Sequence, residues 1–184
     1  MKTQINKTTT PIVSPVVVVS VGEWNEANLI TLAWVARVVS EPPIISVSIR
    51  PSRHSYSLIE SLKEFVVNVP NADQIREVDF SGTRTGKKVD KWKELNLTKQ
   101  KGSKVEVPLI KEFPINIECK VIKKIKHGSH IIYLGEVLVV HVDEEKLTDK
   151  KLNPLKQDQI VYIAGHYYGL MKKPLQKQAF SVRS

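Results

Sequence analysis

The chain has one cysteine, Cys119, in 184 residues. A single thiol excludes an intrachain disulfide and a cysteine metal cluster, and it suits a reducing cytoplasm. No apolar run approaches the roughly 20 residues a spanning helix needs, so no membrane association is expected. Val16–Val19 is short, β-branched and led by Pro15, with no small-residue cleavage site after it; a first strand explains it better than a leader peptide. There is no Gly-x-Gly-x-x-Gly, so no Rossmann pocket holds a dinucleotide. There is no catalytic triad and no paired-carboxylate motif. His127 and His130 flank a turn, while His141 and His166 lie elsewhere with no supporting carboxylate motif, so no metal site is expected. The net charge is +9, but the lysines are scattered and neither RNA-binding aromatic motifs nor zinc-finger spacing accompany them. Nucleic acid is not an expected partner.

What is present describes one domain over residues 1–184, with polar arms at about 1–12 and 172–184, the second able to swap onto a partner. Val16–Val21 reads as a buried strand. Gly22–Glu26 is a turn, and Leu29–Val39 continues as strand with an irregularity near Thr31–Trp34. Glu41-Pro-Pro43 breaks the run, since proline has no N–H for a ladder. Ile44–Ile49 alternates apolar residues with Ser46 and Ser48, whose small size leaves room for a ligand. Tyr56–Lys63 reads as a short helix capped by Ser55, and Ala72–Val78 as a helix capped by Asn71. Phe65–Val69 is a strand, and Val89–Leu95 a helical turn or two. Phe113–His127 and His130–Val142 form a long hairpin about Gly128-Ser129. Glu144–Leu155 reads as irregular or helical, Ile160–Ala164 as the last strand, and Gly165–Leu170 as a closing aromatic turn. Six or seven strands with short helical insertions make a mainly β protein. An antiparallel barrel is the expected closure, because it removes exposed edges. Alternation puts Cys119 on the apolar face, where a buried thiol is inert.

The functional candidates cluster early. Asn28-Leu-Ile-Thr-Leu-Ala-Trp34 offers polar and backbone donors. The strand after the double proline delivers Arg50 into the polar loop Pro51-Ser-Arg-His-Ser-Tyr56. Edge-on contacts at one end and an anion clamp at the other suit a planar, phosphorylated ligand such as a flavin. Arginine supplies charge-assisted bonds in a planar fork, and the following helix start adds free N–H groups. Asn28 reads equally as a turn residue and Thr31 as a plain β-former; Trp34 reads as core. Lys87, Lys88 and Lys91 read as a solvated face that could also attract nicotinamide phosphates.

Six segments together, Asn28–Trp34, Ser40-Glu-Pro-Pro43, Val47-Ser-Ile-Arg50, Phe65–Pro70, Asp79-Phe-Ser-Gly82 and Tyr167-Tyr-Gly-Leu170, resemble the flavin reductase-like family, its flavoredoxins in particular. The resemblance is colinear from about Pro15 to Leu170. It implies an FMN-binding split β-barrel, a homodimer with the flavin near the subunit interface. Asn28, Leu29, Ile30, Thr31, Leu32 and Ala33 would line the isoalloxazine, largely through backbone groups. Arg50, Ser52, Arg53 and Ser55 would hold the phosphate, with His54 in the same loop; His54 and Pro51 depart from the family's loop pattern. Ser81 and Gly82 would approach the flavin or its reductant, and Tyr167 and Tyr168 would close the site with His166 at its mouth. The implied activity is reduction by NADH or NADPH, bound transiently, with electrons passed to flavin or to a small-molecule or small-protein acceptor. A non-catalytic FMN electron carrier is the alternative. The flavin carries the hydride chemistry, so no catalytic side chain is required.

Overall fold

Val17–Val21 (β1) is buried along its whole length. Val17, Val19 and Val21 pack with Val47, Ile49, Phe65 and Tyr133 inside the barrel. Val18, from the opposite face, packs with Leu29, Val78, Trp92 and Phe113 beneath a layer of short helices. Cover on both faces is why the segment is a continuous β-branched run rather than an alternating one. The computed structural model describes residues 1–170 together with Leu175 and Gln178. The expected arm at 172–184 therefore lies almost wholly outside the described residues. Residues 1–12 are exposed throughout.

The remaining strands of the main sheet are β2 (Asn28–Leu32), β3 (Val35–Val39), β4 (Ile44–Ile49), β5 (Glu64–Val69), β6 (Ile115–His127) and β7 (His130–Val142). They form one seven-stranded antiparallel sheet in the order β2-β1-β5-β6-β7-β4-β3. The two edge strands, β2 and β3, are consecutive in sequence and joined only through Ala33 and Trp34. The sheet is thus curled until its edges meet at one corner, and the barrel is split between them. The expected single strand over Leu29–Val39 is in fact these two. Its irregularity is the corner at which the chain leaves one edge of the sheet and starts the other.

Curling brings opposite walls close. A Cβ on Gly135 would stand 2.4 Å from Phe65 Cζ, so only glycine admits that ring. Register shifts in β7 on β6, at Leu134/Gly135 and Val137/Val139, add the local twist that bends the long hairpin.

Three helices cover one side: α1 (His54–Leu62), α2 (Ile75–Thr83) and α3 (Lys91–Glu94). Ser55 does not cap α1. Arg53 occupies that position, and Ser55 lies in the first turn, buried, accepting a 2.8 Å bond from Asn28 Nδ2. Asn71 precedes a single 3₁₀ turn, Ala72–Gln74, and its N–H donates to Gln74 Oε1 at 2.9 Å. A small second sheet joins Ser14–Pro15 to β8 (Ile160–Ile163) and β9 (His166–Gly169). Residues His166–Gly169, expected within a turn, are therefore strand; the turn is Ala164-Gly165, both at positive φ. Among the described residues no helix is long and apolar enough to cross a membrane.

Candidate flavin site at the split of the barrel

Two adjoining cavities open where β2 and β3 part. The larger, about 290 Å³, is lined by Ile30–Trp34, Ser48, Arg50, Arg53, Gly82, His130 and Tyr162. The smaller, about 170 Å³, sits at the start of α1 and is lined by Ser52, Arg53, His54, Ser55, Ser81, Gly82, Arg84, Thr85, Gly86 and Lys91, with Asn28 and Ile30. Ile30, Arg53 and Gly82 belong to both. One is a slot along a strand edge; the other is a polar pouch.

The slot owes its chemistry to β2 being an edge strand. Leu29 C=O points away from β1 and accepts from Lys91, and by alternation the backbone of Thr31 shares that free edge. The Thr31 hydroxyl donates to Val78 C=O, so the side chain ties β2 to α2 and leaves the backbone to face the slot. Trp34 is 55% exposed at the slot's mouth rather than in the core, because the corner between the two edge strands turns it outward.

The pouch is electrostatically incomplete. Among the described residues none of its arginines pairs with a carboxylate; the ion pairs recorded involve only lysines and His141. The first turn of α1 adds unpaired N–H groups and the positive end of its dipole. Lys91 is buried, not on a solvated face. Its Nζ donates to Leu29 C=O at 2.6 Å and Ser81 C=O at 2.7 Å, leaving one N–H uncommitted. Burial, aided by the charge of Arg53, lowers its pKa to about 8. The side chain is aimed by Asp90, whose carboxylate accepts from Trp92 N–H and Lys93 N–H and so fixes the start of α3. Ser81 Oγ is fully buried and has no hydrogen-bond partner. A buried hydroxyl without a partner is rare in a finished core, and here it borders a cluster of cations. Gly86 presses on the wall: a Cβ there would stand 2.1 Å from Asn28 Oδ1. These features fit a phosphate: charge-assisted donors, a helix start and an orphaned hydroxyl in one small enclosure.

The expected residues divide as follows. Ser52, Arg53, His54, Ser55, Ser81 and Gly82 meet around the pouch, and Ile30–Ala33 line the slot. Arg50 lies in the slot, away from the pouch, and its Nε donates to His130 Nε2 at 3.2 Å. Leu29 is buried against the helices and reaches the site only through its carbonyl. Tyr167 packs edge-on to Tyr162, 5.9 Å between ring centroids, and its hydroxyl donates to Asp79 at 3.4 Å. Tyr168 and His166 are exposed and line neither cavity. Tyr162, Arg84, Thr85 and His130 were not anticipated as site residues, and Lys91 was expected on a solvated face rather than in the pouch. Strand alternation opposite Tyr167 could have flagged Tyr162; nothing local marks Lys91.

A third cavity, about 560 Å³, lies beyond Gly86, lined in part by Lys87, Lys88 and Lys99. Lys91 also borders it, and Glu26 and Asp90 partly offset these lysines, whereas the pouch lining holds no carboxylate. Among the described residues no group of histidine, cysteine and carboxylates could hold a metal. Burial and the charge of Glu118 push the Cys119 thiol up to about 12, so it is inert.

A β-barrel split at its edge, with an anion pouch beside the split, defines a flavin reductase-like protein, and the chain belongs to that family: the flavin reductase like domain matches residues 9–171. Over the whole of both chains it is similar to flavoredoxin of Desulfovibrio vulgaris (Miyazaki F), with 29% identity and a TM-score of 0.92. Flavoredoxin from Methanosarcina acetivorans also aligns over the whole of both chains, at 26% identity and a TM-score of 0.88. An uncharacterized protein of Archaeoglobus fulgidus is 40% identical over 120 residues, 65% of this chain and 68% of its own.

Proposed function

We propose that the chain binds FMN, with the phosphate in the pouch and the isoalloxazine in the slot, and works as a flavin reductase-like oxidoreductase. The observation that carries this is the orphaned Ser81 hydroxyl, set among Arg53, Arg84 and Lys91 with no acid to balance them. Arg53, Arg84, Lys91, Ser52 and Ser81 would hold the phosphate. The backbone edge at Thr31–Ala33 would meet the ring. When bound, FMN supplies the electron and hydride chemistry; the protein binds and orients it. Lys91, beside the edge strand, keeps a positive charge near the ligand at neutral pH.

NADH or NADPH, bound transiently, is the proposed donor, and a flavin, another small molecule or a small redox protein the acceptor. The working form is a homodimer in the cytoplasm. Exposed apolar side chains on β3, β6 and β7, Val38, Val39, Ile125 and Leu138, supply surface for a second copy. Sedimentation at micromolar concentration checks the dimer. Rapid mixing of the FMN-loaded protein with NADH and NADPH tests the activity. Fast bleaching of the yellow absorbance is the expected result; a persistent oxidised spectrum with both donors would make the chain an FMN electron carrier instead.

A further inference from the structure

FMN brings one phosphate, and the pouch already gathers Arg53, Arg84 and Lys91 for it. Arg50 is surplus to that need. It ends β4 at the other end of the groove, lining the slot and not the pouch. Its neighbour is a base, not an acid. Arg50 Nε donates to His130 Nε2 at 3.2 Å, which assigns the ring proton to Nδ1, 2.8 Å from Ser129 Oγ. His130 in turn packs edge-on to Trp34, 4.5 Å between ring centroids. Burial and the Arg50 charge hold the His130 pKa below its ordinary value, which keeps the imidazole a neutral acceptor. The Arg50 guanidinium is thus oriented by a neutral partner, and its terminal nitrogens have no partner among the described residues. A pre-aimed, uncompensated fork beside an exposed indole is a recognition element for an anion attached to a planar group.

The geometry points to Arg50, aimed by His130 and flanked by Trp34, as the docking point for a phosphate or carboxylate of the second substrate, the molecule that exchanges electrons with the flavin. This rests on the placement of FMN proposed above, and it takes Arg50 out of the flavin's own clamp. The two sources of such an anion are the pyrophosphate of a reduced nicotinamide dinucleotide and the acidic groups of an electron acceptor.

Arg50→Ala in the FMN-loaded full chain tests it, and because Arg50 is exposed the variant keeps the core intact. Three quantities are measured: the FMN dissociation constant, KM for NADH and NADPH, and the half-saturating concentrations of ferricyanide and of menadione in reoxidising the dithionite-reduced protein. The last needs no nicotinamide, so it reads the subsite even in a protein that no nicotinamide reduces. FMN affinity is expected to stay within about threefold, while the constant for at least one anion rises about tenfold, the effect of one charge-assisted contact, and that for neutral menadione holds. A shift for the nicotinamides alone names the dinucleotide as the source; a shift for ferricyanide alone names the acceptor. Weakened FMN binding would return Arg50 to the flavin clamp and overturn the inference. So would unchanged constants for every anion, or an equal change for menadione. Failure of the unaltered protein to bind FMN would instead sink the proposed function.

Discussion

Two polar clusters in this chain, one buried and one open to solvent through its arginines, have opposite states of completion. Glu118 is fully buried on β6 and accepts from Ser103 N–H and Oγ, both at 2.9 Å, Lys104 N–H at 2.6 Å and Val105 N–H at 3.0 Å, with His141 Nε2 at 2.5 Å. Burial opposes its charge, but these bonds win and lower its pKa to about 2. Every donor has an acceptor, and the charge ties the loop at 103–105 to the sheet. The pouch by the split is the reverse: cations without an anion and a hydroxyl without a bond. A satisfied cluster is architecture. An unsatisfied one persists in a folded protein when a ligand completes it.

The sharpest break between the two is Glu118→Gln. It removes the charge and leaves N–H groups buried without an acceptor, at an expected cost of about 3–5 kcal/mol in chemical denaturation. FMN affinity of the folded variant should not change. Since the folded pKa lies below the ordinary 4.5, this stability is full above about 4.5 and is lost as pH falls from there toward 2. Acid titration of the denaturation midpoint in both proteins checks that sign.

Arg53→Ala should do the opposite. The denaturation midpoint stays put and FMN binding weakens by about 1.5–3 kcal/mol, the range for a charge-assisted bond. Equal losses of stability from both substitutions would erase the distinction. Lys91 gives a smaller, pH-dependent effect. A bound phosphate raises its pKa from about 8, so FMN affinity should fall as pH climbs above that value, by at most about tenfold per unit. Lys91→Met should abolish that slope, as read by titrations at several pH values. Ser81→Ala is the mildest. It should leave apo stability unchanged, since no bond is lost, and reduce FMN affinity by about 0.5–1.5 kcal/mol.

The strands were legible because β-branched runs and proline breaks mark them without reference to the rest of the chain. The long hairpin about Gly128-Ser129 fell where it was expected, while the helix after Arg50 starts at His54, two residues earlier than expected. What escaped depends on long-range placement. The separation of β2 from β3 is a property of the sheet's strand order, which no local pattern carries. Ser55 resembles a cap in sequence, but Asn28, far away in the chain, claims its hydroxyl. Lys91 follows two lysines that are exposed, and only the Asp90-capped turn of α3 sends it inward. Arg50 and Arg53 are three apart and read as one clamp, yet across the turn between them, closed by Arg53 N–H to Arg50 C=O at 3.0 Å, only Arg53 reaches the pouch, while Arg50 lines only the slot.

The central claim is tested most directly by titrating the apo chain with FMN and with riboflavin, which differs only in lacking the phosphate. The account predicts saturable FMN binding, riboflavin weaker by about two orders of magnitude from loss of the charge-assisted contacts, and a gap that narrows in Arg53→Ala. Equal affinity for the two ligands, or no saturable binding of either, would contradict it.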